Sequence, residues 1–343
     1  MPKNDSTGAF QTHANYLHAF SLISSGNVRD LSKSLKSTKD RIWGSGFLPD
    51  GSCPKANSHQ AISSLQNAWG TELLLNVGLR MIRSDELIRL SNNWSVVQAY
   101  YVLYHATQAL TAAKGQSRPD THTGTQNQFY TFLAERGGGL EPWTLAFGAS
   151  GPENVPDAVE VDGDCHSWVS CNENSCWSLA YKVLRTTREE TIRLRERDAR
   201  IGKRKQQKAM WEKEEKLRSE GGKRPRKPPR FPLPKLTLLE KQTINQKLRP
   251  YTLMDYLYRL RVRTNYEDSA MFTDGPQNDS VSAEVRQDLQ KITACSLLIF
   301  ELHVRRLLGK TVFDKAVAEW VTANAPFKPS IGVAGRMELH KSI

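Results

Sequence analysis

The chain has 343 residues, 38% hydrophobic and 24% charged, an ordinary globular composition long enough for one large domain or two smaller ones. Its most apolar run, around 294–300, is too short to span a bilayer, and the opening Met1-Pro2-Lys3-Asn4-Asp5-Ser6 has no signal-peptide core, so no membrane partner is expected. The net charge of +12 is localised: residues 185–230 hold 18 Lys/Arg against 8 Asp/Glu, an excess of ten, so the rest of the chain is nearly neutral. A concentrated positive stretch is the electrostatic footprint of a polyanion partner. Five cysteines, odd in number and irregular in spacing, do not make a disulfide framework, and a reducing cytoplasm is the expected compartment.

Residues 1–56 read as a polar, loop-rich segment with one short helix around 16–23. Over 58–90, Ile62, Leu65, Trp69, Leu73 and Val77 recur every three or four residues, the stripe of a helix or helix pair. Residues 94–114 are apolar nearly all round and predict a buried central helix stopped by Gly115. Its Ala99, Val102, Ala106, Ala109 and Ala113 form a small-residue seam that admits a second helix closely. A short helix over 126–133 precedes Gly137-Gly138-Gly139, and 140–175 reads as irregular. Residues 177–218 predict a long helix, apolar in its first turns and charged on every face after Thr187, so that it projects into solvent or is partly disordered. Residues 221–234 predict a stiff Pro-rich linker.

The core resumes at 236–248. A helix from Thr252 places Leu253, Tyr256, Leu257, Leu260 and Thr264 on one face. A loop at 274–279, a long helix over 281–308 capped by Gly309 and a short helix near 313–321 complete an all-α fold. The boundaries this implies are an N-terminal segment (1–56), two halves of one bundle (57–139 and 236–325), an insertion with a charged helix and Pro-rich linker between them (140–235), and a C-terminal tail (326–343).

Two of these segments carry a family resemblance. The first is Tyr100-Tyr101-Val102-Leu103-Tyr104-His105-Ala106, followed by Lys114-Gly115 and by His122; the second runs from Tyr251 to Tyr266 and contains Arg261-Val262-Arg263-Thr264-Asn265-Tyr266. In this order they resemble the two halves of a HEPN domain, and the region is also similar to the YaaC-like group of bacterial proteins. The resemblance covers roughly 58–135 and 236–308. It implies a helical bundle, a paired protomer and an RNA-related role in a prokaryotic defence or toxin-type setting.

The same resemblance implies the site. Active HEPN ribonucleases carry Arg-x4-6-His and cleave RNA without metal through its 2′-hydroxyl, with Arg stabilising phosphate charge and His exchanging protons. Here Arg261 stands in the Arg position and Tyr266 in the His position, similar to the Arg-x-x-Ala-Asp-Tyr form of members thought not to cut RNA. A phenol titrating near pH 10 is a poor base at neutrality. On an uninterrupted helix, positions five apart point about 140° away from each other. Arg261 and Tyr266 would therefore cooperate only at a helix end or across a homodimer interface. Asn265 completes the motif, and His303 on the last long helix is a candidate replacement for the absent His. The bland alternatives are surface arginines at 261 and 263, a helix-end cap and packed ring at 265 and 266, and a hydrogen-bonded core histidine at 105.

For nucleic acid the candidate contacts are Arg263 and the arm residues Lys203, Arg204, Lys205, Lys223, Arg224, Arg226 and Lys227, with Trp211 and Phe231 as stacking rings. Against this stands a solvated helix of Glu/Lys pairs. Cys165, His166, Cys171 and Cys176 have the residue types of a zinc site without its CxxC spacing, so no metal is assigned, and no cofactor is expected. P-loop, GxGxxG, HExxH and GxSxG motifs do not occur. The expected function is a HEPN-like protein engaging RNA or a nucleic-acid-bound partner without cleaving. The alternatives are an active metal-independent endoribonuclease, or an interaction protein whose basic arm docks an acidic cognate protein.

Overall fold

The computed structural model describes residues 4–341 except 29, 82–83, 225, 269, 277–278 and 325–331. Positions 277–278 of the expected loop, and 326–331 and 342–343 of the expected tail, therefore lie outside the described residues. The described chain is predominantly helical: α1 Asn4–Ser25, α2 Leu31–Gly44, α3 Ser58–Met81, α4 Asp85–Ala113, α5 His122–Phe132, α6 Cys176–Glu220, α7 Leu238–Gln246, α8 Leu253–Val262, α9 Met271–Asp274, α10 Asp279–Leu308, α11 Lys310–Asn324 and α12 Val333–Lys341. One two-stranded hairpin, β1 Ala146–Gly148 and β2 Gly151–Glu153, pairs antiparallel. None of the described helices is long and apolar enough to cross a membrane.

Local chemistry sets several helix ends. The Asp30 carboxylate accepts from Lys33 N at 2.8 Å to open α2, and Thr121 accepts from Gly124 N at 3.0 Å to open α5. At the start of α8, Asp255 accepts from both Thr252 N (2.8 Å) and Thr252 Oγ1 (3.0 Å). After α4 the chain turns at Gly115, whose φ of +69° and close approach to the Lys55 backbone admit no side chain; a Cβ there would lie 2.6 Å from the Lys55 carbonyl oxygen.

α4 packs between α3 and α10 and also meets α8. The whole Ala99–Ala113 seam is buried. Trp69 of α3 donates to Glu301 of α10 at 2.8 Å, and Trp143 donates to Ser296 at 2.7 Å, so the large indoles enter the core with their polar atoms satisfied. The N-terminal stretch that reads as polar forms two helices. α1 buries Phe10, Ala14, Leu17 and Phe20 against α10 and α6. Its stripe is masked in the sequence by Ser21 and Ser24, which are buried as well; the Ser24 hydroxyl donates back to Ser21 O. Leu140, Trp143 and Leu145, inside the insertion drawn from sequence, are also buried.

α6 is one helix of 45 residues, about 67 Å long at 1.5 Å per residue. Its buried residues end at Arg188. Beyond that it projects, and the extended chain after it returns alongside: Arg200 donates to Pro234 O at 2.9 Å, Arg226 pairs with Glu215, and Trp211 meets Phe231 edge-on at 6.3 Å. The described part of the basic segment is thus an arm of one helix with extended chain packed along it.

Between α1 and the turn after α8, Arg263 donates to His13 Nε2 at 3.0 Å, which fixes that nitrogen as an acceptor and leaves Nδ1–H for the Tyr256 hydroxyl at 3.2 Å. Burial, then the charges of Arg263 and Arg259, hold His13 down to about 3. The unfolded chain takes a proton near pH 6.5 that the folded chain refuses, so stability is complete above that pH and falls as pH drops through the window 6.5 to 3. The expected slope well below pH 6.5 is about 1.4 kcal/mol per pH unit from this residue. Urea unfolding at pH 7.5 and pH 5 should show it, and His13→Gln should flatten it. An unchanged slope in the variant would refute the assignment.

Candidate functional site

α4, the first turn of α5 and α8 converge on Arg261. α4 supplies Tyr100, Tyr101, Tyr104 and His105; α5 opens with His122; α8 presents Tyr258 one turn before Arg261. The Arg261 guanidinium lies 5.2 Å from the Tyr101 ring centre, 5.6 Å from Tyr100 and 5.8 Å from Tyr258. Its Nη2 donates to the Tyr101 hydroxyl at 3.1 Å, while its buried Nε has no partner. Arg259 and Arg263 have carboxylate partners; among the described residues Arg261 has none. A half-buried guanidinium held by rings instead of a carboxylate keeps donors and charge for an external anion.

His122 completes the cup. Its Nδ1 is 2.7 Å from the Tyr100 hydroxyl, and its ring packs 5.2 Å from Tyr104 and 5.3 Å from Tyr258. Burial and then the Arg261 charge lower its pKa, so it is neutral at pH 7. Burial also pushes the Tyr100 phenol up, and it keeps its proton. His105 stacks on Tyr101 at 6.0 Å and is lowered to about 4 by burial and Arg118. It is half-buried rather than enclosed in the core. α4 is not buried all round: Leu87 (53% exposed), Trp94 (66%) and the half-buried Tyr101 follow at intervals of seven along an outward strip.

The remaining expected residues fall elsewhere. α8 does not run on uninterrupted to Tyr266. Residues Arg263–Glu267 form a wide turn closed by Asp268 N to Arg263 O at 2.7 Å, an i→i+5 bond of the kind frequent at functional sites. Asn265 and Tyr266 are exposed, Tyr266 by 74%, and no hydrogen bond or ring contact among the described residues joins either to Arg261. Arg263 is committed to His13 and, at 3.9 Å, to Asp268. His303 is 2% exposed, with Nδ1 2.8 Å from Ile299 O and Nε2 2.9 Å from Phe47 O; both ring nitrogens face backbone carbonyls, and burial holds it at about 4. It has no nitrogen available to a ligand.

On the arm, Lys203 is paired with Glu240, and Arg226 with Glu215 and Glu214. Arg204, Lys205, Lys223, Arg224 and Lys227 are exposed. Trp211 and Phe231 pack on each other. Cys165, His166, Cys171 and Cys176 do not assemble a ligand set, and no group of three metal-ligating side chains occurs among the described residues. His166 stacks on Trp168 at 5.0 Å, and Cys176 Sγ donates to Glu173 O at 3.2 Å.

Tyr258 is the member of the cup that sequence reasoning passed over. Its spacing of three from Arg261, on the face opposite the Leu253–Leu260 stripe, was the available signal. No protein-family model matches the chain, and neither a curated protein nor a solved structure matches it.

Proposed function

We propose that this is a HEPN-like RNA-binding protein in which Arg261 receives a backbone phosphate and the half-buried Tyr101, Tyr104 and Tyr258 receive unstacked bases, without cleavage. The observation that carries the reading is the Arg261 cup: a guanidinium with no carboxylate partner among the described residues, a buried unsatisfied Nε, and rings at 5.2–5.8 Å. Base stacking on rings and charge-assisted contacts to phosphate are the two recurrent terms in single-strand binding. The exposed cations of the arm add sequence-independent attraction. The departure at Tyr266 supports the non-cleaving form. A homodimer through the outward strip of α4 belongs to the same proposal, because two copies would bring two Arg261 cups to one cleft.

One observation favours a second reading. His122, a neutral imidazole, shares the Tyr258 ring with Arg261, and it stands where an acid–base group would serve a metal-independent endoribonuclease. Incubating end-labelled single-stranded RNA in EDTA with the wild-type protein separates the two: binding without cutting supports the first, and EDTA-resistant cutting lost in His122→Ala and Arg261→Ala supports the second. Neither binding nor cutting would turn the arm toward an acidic protein partner.

The arm's share is testable by excision. Arg200 and Pro234 touch at the arm's base, so residues 201–233 can be replaced by a short Gly/Ser linker without pulling on the core. The melting temperature is expected to stay within about 3 °C. RNA affinity at 50 mM salt is expected to fall at least tenfold, with a shallower salt dependence. Full affinity after excision would remove the arm from the interface.

A further inference from the structure

Tyr258 also lines a cleft of ≈ 700 Å³, bounded by α5, α6, α8 and the 247–251 segment. That volume is in the range of small-molecule sites. Its chemistry is lopsided. Four cations line it (Arg195, Lys247, Arg249 and Arg259) against two acids, Asp255 and Glu267. Both acids are consumed internally. Asp255 is gripped by Arg249 through two bonds of 2.8 and 2.7 Å, and Glu267 by Arg259 through two bonds of 2.7 Å. Arg195 and Lys247 are exposed and have no carboxylate within ion-pair distance among the described residues.

Two tyrosines in the same cleft are held in place by their neighbours. Arg249 lies 5.7 Å from the Tyr130 ring and 5.6 Å from the Tyr251 ring, and its remaining donors are spent on Asn127 Oδ1 at 2.7 Å and Pro250 O at 2.7 Å. Its work is to brace two ring faces. Phe147 N donates to Tyr251 O at 2.9 Å and Tyr251 N to Phe147 O at 3.0 Å, which pins Tyr251 to the hairpin. Tyrosine rings and two uncompensated cations line the same cleft, a pairing that suits a ligand with a flat part and an anionic part.

We propose that this cleft binds a nucleoside phosphate, with the base against Tyr130 and Tyr251 and the phosphate between Arg195 and Lys247. The ligand's source is a free mononucleotide or one nucleotide of a single strand. The inference does not rest on the Arg261 reading, since the cations that carry it come from the arm helix and the end of α7.

The test is isothermal titration calorimetry with AMP, adenosine and 5′-phosphorylated pentaadenylate, at constant salt. Proteins compared are the wild type, Arg195→Ala/Lys247→Ala, and Lys33→Ala/Lys36→Ala on the distant α2 as a control for lost charge. AMP binding that is at least tenfold stronger than adenosine binding, lost in Arg195→Ala/Lys247→Ala and retained in the α2 control, assigns a free nucleotide. Binding of pentaadenylate alone, weakened at least tenfold by the same pair and unchanged in the control, assigns a nucleotide within a strand. Absence of binding by both AMP and pentaadenylate overturns the proposal, and so does binding that the pair leaves unchanged. The substituted side chains are exposed, so the variants should melt like the wild type. A strand that binds equally to wild type and pair would leave the Arg261 cup standing while removing the cleft.

Discussion

Replacing Arg336 by methionine is expected to cost about 3–5 kcal/mol of folding stability, the penalty of leaving buried carboxylates without their cation. Arg336 on α12 has no exposed side-chain surface. Its guanidinium reaches Glu72 of α3 at 2.6 and 2.9 Å and Glu301 of α10 at 2.8 and 2.7 Å, and Glu301 also faces His340 Nε2 at 2.8 Å. Burial raises the Glu301 carboxyl, but the charge of Arg336 and the hydrogen bond from His340 reverse that, and it stays ionised well below the usual carboxylate range. A planar fork with five donors can give two bonds to each carboxylate, whereas an ammonium has only three donors, so Arg336→Lys should recover only part of the loss. The triple variant Glu72→Gln/Glu301→Gln/Arg336→Met removes the charges together and should recover most of it. Against a typical total of about 5–15 kcal/mol, the single substitution should be plain in urea unfolding. A midpoint within about 0.3 M urea of wild type at unchanged slope would show that the carboxylates find water or protons instead.

Arg261→Ala is expected to weaken single-stranded RNA binding by about ten- to a hundredfold, since one charge-assisted hydrogen bond contributes roughly 1.5–3 kcal/mol. The salt slope should fall by about one phosphate contact. Tyr101→Phe removes only the hydroxyl that accepts from Arg261 and keeps the ring, so its loss should be a few-fold. Tyr101→Ala removes the ring as well and should cost another 1–3 kcal/mol if a base stacks there. Filter binding in EDTA reads all three. If Arg261→Ala matches wild type in affinity and salt slope, the cup is a packing feature and the phosphate reading fails. Among the described residues Arg261 carries no ion pair, so the fold should survive its removal, and circular dichroism checks this.

How far the fold was readable is uneven, for identifiable reasons. The stripe of Ile62, Leu65 and Trp69, the Ala99–Ala113 seam, the stops at Gly115 and Gly309, and the passage of α6 from apolar to charged are local patterns. Each translates directly into a helix, its end or its exposed length. Within the site, Arg261, His122 and the Tyr100–His105 segment were singled out only by the family resemblance they carry. Their juxtaposition was not, and neither was Tyr258. The same Tyr and His spacing serves a buried core face or an open cup, and only the placement of α8 against α4 and α5 distinguishes them.

By itself, then, the sequence determined a predominantly helical chain, the extent of its main helices and the confinement of its positive charge to one arm. The tertiary structure alone decided that a polar N-terminus is core, that His303 is sealed between backbone carbonyls, and that a tail arginine closes a buried pair of acids. The physical reason is range. A helix is set by neighbours three and four residues apart, whereas Arg336 and Glu72 meet across 264 positions. No periodicity records a contact of that separation; it exists only once the apolar faces have packed and carried the charges to each other.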